Sequence, residues 1–104
     1  MLDPFVSRNF RFDGDEVECR FFTPEPDRSD YRCRYEIDIP NKPVAGHAYG
    51  VDQIQALLLA MQKAHVDLLL LRDKSGRRVE WLGQENLNLP LNDGLRDLTS
   101  ENDL

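Results

Sequence analysis

The chain lacks an excess of positive charge: its 13 Lys and Arg residues stand against 19 Asp and Glu, giving a formal net charge of −6 at pH 7 over 104 residues. Nonspecific nucleic-acid binding depends on a basic surface that neutralises phosphates, and no basic stripe runs along this sequence. We therefore expect no nucleic-acid partner. An acidic surface instead suits a basic protein partner.

Long apolar runs are also missing. A membrane-spanning helix needs about 20 mainly apolar residues, whereas polar residues such as Lys63 and Asp67 interrupt the most apolar stretch, residues 57–71. Asp3 and Arg8 interrupt the first dozen residues, where a secretory signal would place its apolar segment. These interruptions predict a cytoplasmic protein with no membrane span and no membrane partner.

Cysteine is scarce, since only Cys19 and Cys33 are present. Without a secretory signal, we expect both as reduced, buried thiols rather than as a disulfide. Together with His47 and His65 they could be drawn as a zinc set. Structural zinc sites use close Cys-Cys and His-His pairs, however, and these four residues stand singly in the sequence. We expect no metal site and no cofactor.

Catalytic motifs are absent from the sequence, which contains no Gly-rich phosphate loop, nucleophile elbow or HExxH helix. Cys33 and His65 could form a nucleophile–base pair. The Ile, Leu and Met residues around His65 instead favour a neutral core histidine bonded to a backbone or tyrosine oxygen, and a reactive thiolate needs a more exposed, electropositive setting. We assign no catalytic residue, and the sequence favours a protein that is not an enzyme.

Four segments show the alternation of half-buried strands. Residues 5–12 and 16–23 form the first pair, and Asp13-Gly14 can fill the two central positions of a type I′ turn. That turn sets Phe10 opposite Val17 and Arg11 opposite Glu16, with an irregularity near Arg8. Two prolines predict a loop over residues 24–30.

Residues 31–39 and 44–51 form the second pair, joined by a four-residue turn at residues 40–43. Pairing Ile39 with Val44 across this turn predicts the register. The remaining pairs are then Ile37 with Gly46, Tyr35 with Ala48, Cys33 with Gly50, Glu36 with His47, and Arg34 with Tyr49. Large inner residues thus face small ones, which would let a helix approach the fourth strand closely.

A helix follows, with Asp52 and Gln55 as a variant of the capping box and Gly76 available to end it after residues 71–74. Its predicted core stripe consists of Ile54, Leu57, Leu58, Met61, Ala64, His65, Leu68 and Leu69. Residues 77–82 form a short strand. The predicted fold is α+β: an antiparallel four-stranded meander with one long helix packed on one face, plus a short fifth strand after the helix.

One domain accounts for the predicted elements. We place it at residues 1–90, with the body complete by about Leu82, and interpret residues 91–104 as a polar, disordered and dispensable tail. A second apolar stripe, formed by Leu59, Val66 and Leu70, lies on the side of the helix away from the core. Either the C-terminal segment with Trp81 covers this stripe, which we prefer, or a second copy packs on it as a homodimer.

The outer face of the sheet is the predicted binding surface. A solvated face of mixed charge is ordinary for an antiparallel sheet, but exposed Arg, Tyr and Phe are also the residue types found at interface hot spots. The members of this predicted surface are Arg20, Phe22, Arg32, Arg34, His47 and Tyr49, which lie beside Glu16, Glu18 and Glu36.

Two adjacent motifs are similar to those of a family of small uncharacterised bacterial proteins. Residues 31–37 (YRCRYEI) match an aromatic-x-Cys-x-Tyr-x-Ile strand, and residues 50–57 (GVDQIQAL) match a Gly-x-Asp-x-x-Gln-Ala-Leu helix start. The resemblance covers about residues 31–70. It implies a bacterial cytoplasmic protein and brings no activity with it.

Two functional hypotheses follow. The first is a non-enzymatic protein-interaction module that binds a basic partner on the open sheet face, as immunity proteins and antitoxins do. The alternative is a small-molecule-binding or minor catalytic domain with a pocket at the sheet–helix edge, lined by His65 or His47 and Arg34. A flat exposed face favours the first hypothesis, and a deep pocket at His65 favours the second.

Overall fold

A computed structural model describes residues 4–91. Its elements are β1 (Pro4–Phe12), β2 (Asp15–Phe22), β3 (Glu25–Asp27), β4 (Asp30–Ile37), β5 (Val44–Gly50), α1 (Gln53–Ser75) and β6 (Val79–Glu80). The strands form one antiparallel sheet, and α1 packs on one of its faces. The α+β class with one helix and an antiparallel sheet is therefore confirmed.

The strand count and order differ from the prediction. Within residues 4–91 the sheet has six strands, and the main path through it runs β6–β1–β2–β4–β5. β5 pairs with the full length of one edge of β4, so that β2 and the short β3 share the other edge. The predicted loop over residues 24–30 thus contains a strand. Pro26 is tolerated there because β3 is an edge strand, where a missing N–H breaks no ladder.

The first hairpin has the predicted turn and register. Asp13 and Gly14 have φ values of 55° and 93°, as a type I′ turn requires, and Phe10 pairs with Val17. The predicted irregularity near Arg8 is misplaced, because Arg8 pairs regularly with Cys19 and the shift lies between Pro4 and Val6.

The predicted β4–β5 register is wrong by two residues. The observed pairs are Ile37 with Val44, Glu36 with Ala45, Tyr35 with Gly46, Arg34 with His47, Cys33 with Ala48, Arg32 with Tyr49, and Tyr31 with Gly50. The connection is a six-residue loop, residues 38–43, rather than a four-residue turn. A slip of two residues leaves every side chain on its predicted face.

Two features favour the longer loop. Lys42 N–H donates to the Ile39 carbonyl at 3.1 Å, which closes a turn with Pro40 and Asn41 at its centre, and Asn41 has a φ of 68°. The Asp38 N–H donates to the Glu18 carbonyl at 3.0 Å, which ties the start of the loop to β2. Residues 38 and 39 are thereby withheld from β5.

Both predicted helix caps are confirmed. The Asp52 carboxylate accepts the N–H of Gln55 at 2.8 Å, and the Gln55 side-chain oxygen accepts the N–H of Val51 at 2.7 Å. At the other end Gly76 has a φ of 67° and donates its N–H to the Arg72 carbonyl. The helix extends to Ser75, one residue past the predicted range.

The predicted core stripe is wrong at the N-terminal half of α1. Ile54 and Leu58 are exposed, whereas Ala56 and Ala60 are fully buried. The reason is the closeness of β5, since a Cβ added at Gly50 would overlap the backbone of Ala56. A helix this close to a strand buries alanines and turns its larger side chains aside.

The folded body continues beyond Leu82, where it was predicted to be complete. Leu87 is only 1% exposed and belongs to the core. Arg8 donates to the carbonyls of Leu87 and Asn88 at 3.0 Å, and the His65 ring nitrogen Nδ1 lies 3.2 Å from the Pro90 carbonyl oxygen. Apart from Leu91, the predicted tail lies outside the described residues.

By length and composition α1 could cross a membrane, because its most apolar 18 residues have a mean hydropathy of 1.4. Helices that lie in the core of soluble proteins meet the same criterion, and α1 covers the inner face of the sheet. The compact arrangement suggests a soluble protein.

Candidate functional site

The structure places all six residues of the predicted binding surface on the outer face of the sheet. Arg20 and Phe22 alternate along β2 with the buried Cys19 and Phe21. The same alternation along β4 and β5 directs the other four outward. They are Arg32, Arg34, His47 and Tyr49.

A shallow concavity of about 620 Å³ crosses this face from β1 to β5. Its lining consists of Pro4, Arg20, Phe22, Arg34, Tyr35, Glu36, Ala45 and Gly46. Sequence reasoning missed Pro4, which reaches the concavity because the irregularity in β1 sets it opposite Phe22. The alternation of β1 alone gives no signal for that shift.

Arg20 is the centre of an ion-pair cluster at one end of the concavity. Its guanidinium donates to Asp38 through two hydrogen bonds of 2.6 and 2.7 Å, and to Glu18 and Glu36 at 2.7 and 2.9 Å. These hydrogen bonds, the one with Asp38 foremost, raise the pKa of Arg20 and hold the pKa of Asp38 below its usual value. Arg20 is therefore engaged within the fold, which argues against its predicted role as a contact for a partner.

The acidic cluster, defined as Glu18, Glu36 and Asp38 around Arg20, has an excess of negative charge. Three carboxylates surround one guanidinium, so that the local formal charge is −2 if all four groups are ionised. The carboxylate side chains are 42%, 47% and 51% exposed, whereas Arg20 is 19% exposed. The part of the cluster that meets solvent is thus anionic.

The opposite end of the outer face has two arginines, each beside a carboxylate, together with aromatic rings. Arg34 and Arg32 form long ion pairs of 3.8 and 3.9 Å with Glu25 and Asp27. The first is too long for a hydrogen bond, and the buried Oε1 of Glu25 has no hydrogen-bond partner within residues 4–91. Arg34 also lies 5.6 Å from the ring centroid of Phe22. These guanidiniums are held less firmly than that of Arg20.

His47 and Tyr49 complete this end of the outer face. Their rings meet edge to face with centroids 5.3 Å apart. The observed register sets His47 beside Arg34 and Tyr49 beside Arg32. The predicted pairs of Glu36 with His47 and Arg34 with Tyr49 are therefore wrong. The acidic cluster lies at one end of the outer face, and paired arginines with aromatic rings lie at the other.

The inner layer offers no accessible nucleophile among the described residues. Cys19 and Cys33 are fully buried and form no disulfide, and the Cys33 thiol donates to the Phe22 carbonyl at 3.3 Å. Burial raises the pKa of the Cys19 thiol to about 12 and that of Cys33 to about 11. His65 is 4% exposed, and its ring lies against the Pro90 carbonyl, a backbone oxygen as predicted. Within residues 4–91 no three His, Cys, Asp or Glu side chains cluster as a metal site would need.

A polar contact that sequence reasoning missed joins the sheet to the helix. The buried Tyr35 hydroxyl donates to the Asp67 carboxylate of α1, and burial followed by this hydrogen bond raises the pKa of Tyr35. The ring lies over Gly46, where an added Cβ would come within 2.5 Å of the hydroxyl oxygen. Asp67 stands in the sequence only as an interruption of an apolar run, so its pairing gave no signal.

Residues 6–91 match the profile of a family described as "Domain of unknown function (DUF6968)". The chain belongs to this family. The matched part of the DUF6968 domain includes nearly all of β1 and ends at Leu91, the last described residue. The resemblance to a family without a known activity is thus confirmed at this level, whereas its motif and bacterial origin remain predictions.

The domain has no significant match among curated proteins and none among solved structures.

Proposed function

We propose that this DUF6968 domain is a non-enzymatic protein-interaction module whose acidic cluster binds a basic segment of a partner protein. The observation that carries the proposal is the exposure of three carboxylates, Glu18, Glu36 and Asp38, around the one guanidinium of Arg20, at the end of an open concavity. Immunity proteins and antitoxins are modules of this kind, because they neutralise a partner by covering it.

The carboxylates retain hydrogen-bonding capacity for a second cation. Glu18 and Glu36 each engage Arg20 through the Oε1 atom alone, and each carboxylate can accept several hydrogen bonds. A guanidinium or ammonium of a partner would therefore meet oxygens that are already fixed in position by Arg20. Such fixed acceptors lower the ordering cost of binding.

The rest of the concavity suits the carbon stem of a long basic side chain. Phe22 and Pro4 line it with apolar surface, and Ala45 contributes a small floor. Lys and Arg side chains commonly lay their methylene stems on apolar surface while the charged end reaches polar groups. The concavity thus combines apolar surface with the Glu36 carboxylate, and Arg20 and Arg34 also line it.

A peptide titration tests the proposal. We expect a short peptide that alternates Arg with Leu to shift the amide resonances of Glu36 and Ala45, and a matched Glu–Leu peptide to leave them unchanged. Glu36→Gln should weaken binding about fivefold, as the loss of one partly exposed ion pair implies. Asp73→Asn, an equal charge change on an exposed part of α1, is the control.

Added salt should weaken binding of the Arg–Leu peptide, because the attraction is between exposed charges. An equal effect of Glu36→Gln and Asp73→Asn would show that only net charge matters. Unshifted resonances with the Arg–Leu peptide would contradict the proposal.

A further inference from the structure

The outer edge of β5 has an open row of backbone groups. In an antiparallel strand the N–H and C=O of one residue point to the same side. The Asp38 N–H, just after β4, donates to Glu18 of β2, so the even-numbered residues along β4 direct their backbone groups toward β2. The odd-numbered residues of β4 therefore bond to β5. Those residues pair with the even-numbered residues of β5, such as Gly46, whose backbone groups face β4. The odd-numbered residues Ala45, His47 and Tyr49 therefore direct their backbone groups away from the sheet.

Contacts with the helix agree with this assignment. The Lys63 ammonium of α1 donates to the His47 carbonyl at 3.1 Å, which agrees with a carbonyl that makes no bond to β4. Within residues 4–91 no strand pairs with this edge of β5. A flat, unpaired edge of this kind is a template for another strand.

One side of α1 overhangs the same edge. The contact of Lys63 with His47 identifies this side of the helix. Leu59 lies four residues before Lys63 and Val66 three residues after it, so both are on the same side of the helix. A shallow depression of about 290 Å³ lies there, lined by Leu59, Gln62, Lys63 and Val66. Two members of the apolar stripe that the sequence identified, Leu59 and Val66, thus lie beside the open edge. Trp81 packs against Arg8, and residues 92–104 of the segment predicted to cover the stripe lie outside the described residues.

The charge of this edge differs from that of the whole chain. The formal net charge is −6, yet the depression and the outward-facing residues of β5 contain no carboxylate. The nearby Asp67 is occupied by the Tyr35 hydroxyl. Two copies of an acidic protein can therefore approach each other here without bringing acidic residues together, and the charged side chain that each brings to the edge is Lys63.

We propose that a second copy of this chain docks on the edge, β5 against β5, around a two-fold axis at His47. The antiparallel pairing sets Ala45 of each copy opposite the partner's Tyr49, a small side chain against a large one. The six-stranded sheet becomes a twelve-stranded sheet with both helices on one face. The proposal does not depend on the proposed function.

The spacing of elements supports this arrangement. Adjacent strands lie about 4.8 Å apart, and each helix sits above β5 and β4. The two helices would therefore be neighbours on one face of the joined sheet, where packed helices lie about 8–10 Å apart. Leu59 of one helix then meets Val66 of the other. Each His47 carbonyl has a second lone pair for the new strand bond, so Lys63 keeps its contact.

Sedimentation equilibrium over a wide concentration range tests the dimer. We expect a species of twice the 12.1 kDa chain mass. His47→Pro removes an outward N–H without breaking the β4 ladder and should weaken the dimer at least about tenfold, since two interchain hydrogen bonds are lost. His47→Ala keeps that N–H and is the matched control.

A second pair of variants locates the helix contact. Val66→Lys should raise the dissociation constant, whereas Ile54→Lys, at an equally apolar but exposed position distant from Lys63 along α1, should leave it unchanged. Circular dichroism of each variant verifies that the monomer is folded. A chain that sediments at 12.1 kDa at every concentration overturns the proposal. So does a dimer that Ile54→Lys disrupts and Val66→Lys does not, or a monomer in which the His47 amide is already protected from exchange.

Discussion

At the scale of single residues, the fold depends on a few positions where a larger group would not fit. Gly46 leaves room for the Tyr35 ring, and Gly50 allows the backbone of α1 to approach β5. Neither residue needs the left-handed conformation that usually explains glycine, since their positions are in a regular strand. Their role is steric, and it lets a tyrosine from β4 reach Asp67 on the helix.

Replacing Gly46 by Leu should therefore destabilise the protein by about 1–3 kcal/mol or more, the usual cost of overpacking. His47→Ala, on the outer face of the same strand, should stay within about 0.5 kcal/mol, as surface changes do. Urea denaturation of both variants measures the difference. If His47→Ala proves the more damaging change, β5 has the opposite orientation.

The two cysteines give a second prediction at this scale. Both thiols are buried and neutral, with pKa values raised to about 12 for Cys19 and about 11 for Cys33. At about pH 8 a thiol reagent should react with neither in the folded protein and with both after unfolding without reductant. Finding no thiol after unfolding would indicate a disulfide.

The raised pKa values of the two thiols make the free energy of unfolding depend on pH. Thiols of the unfolded chain ionise near their ordinary pKa of 9.0, whereas the buried thiols stay protonated. The contribution of these thiols to stability is therefore complete below about pH 9 and is lost as the pH rises through about 11 and 12.

At the scale of elements, the loop between β4 and β5 decides the register. Its turn needs a residue with positive φ, and Asn41 supplies one at 68°. Because Asn tolerates this conformation better than most residues, the chain can form the tight turn at Ile39–Lys42 and start β5 at Val44.

Asn41→Gly should thus leave the free energy of unfolding nearly unchanged or increase it slightly, while Asn41→Val should lower it by about 1–3 kcal/mol, because a β-branched residue is strained at positive φ. Lys42→Val, at the neighbouring exposed position, is the control. Thermal denaturation of the three variants provides the test, and an equal loss for Val at both positions would contradict the assignment of the turn.

At the scale of the whole molecule, the segment after β6 closes the core. Leu87 of this segment is buried in the core. Hydrogen bonds to backbone carbonyls of the segment, from Arg8 of the sheet and from Arg72 of the helix, hold it against both layers. A chain shortened to Leu82 would lose this cover and expose the core.

Leu87→Ala should accordingly cost about 2–5 kcal/mol, the range for a buried leucine that leaves a cavity. A chain that ends at Leu91 should melt within a few degrees of the full chain, because the last residues of a domain commonly add little to its stability. A large loss on ending the chain at Leu91 would mean that later residues also contribute to the core.

The sequence by itself determined the features that depend on local chemistry. Alternation assigned the faces of β1, β2, β4 and β5, Asp13-Gly14 specified the first hairpin, and Asp52 and Gly76 bounded the helix. These signals are short-range, since turn conformation, capping and strand periodicity depend on neighbouring residues alone. The outer position of the predicted binding surface follows from the same periodicity.

Only the tertiary structure decided which partners those elements meet. The two-residue offset of β5, the strand β3, the buried alanines of α1 and the pairing of Tyr35 with Asp67 all arise from contacts between distant segments. So does the engagement of Arg20 by three carboxylates, which turned a predicted cationic contact into the centre of an acidic cluster. The stable arrangement is the one in which contacts throughout the chain agree, so a local sequence pattern that is compatible with several arrangements does not determine which one forms.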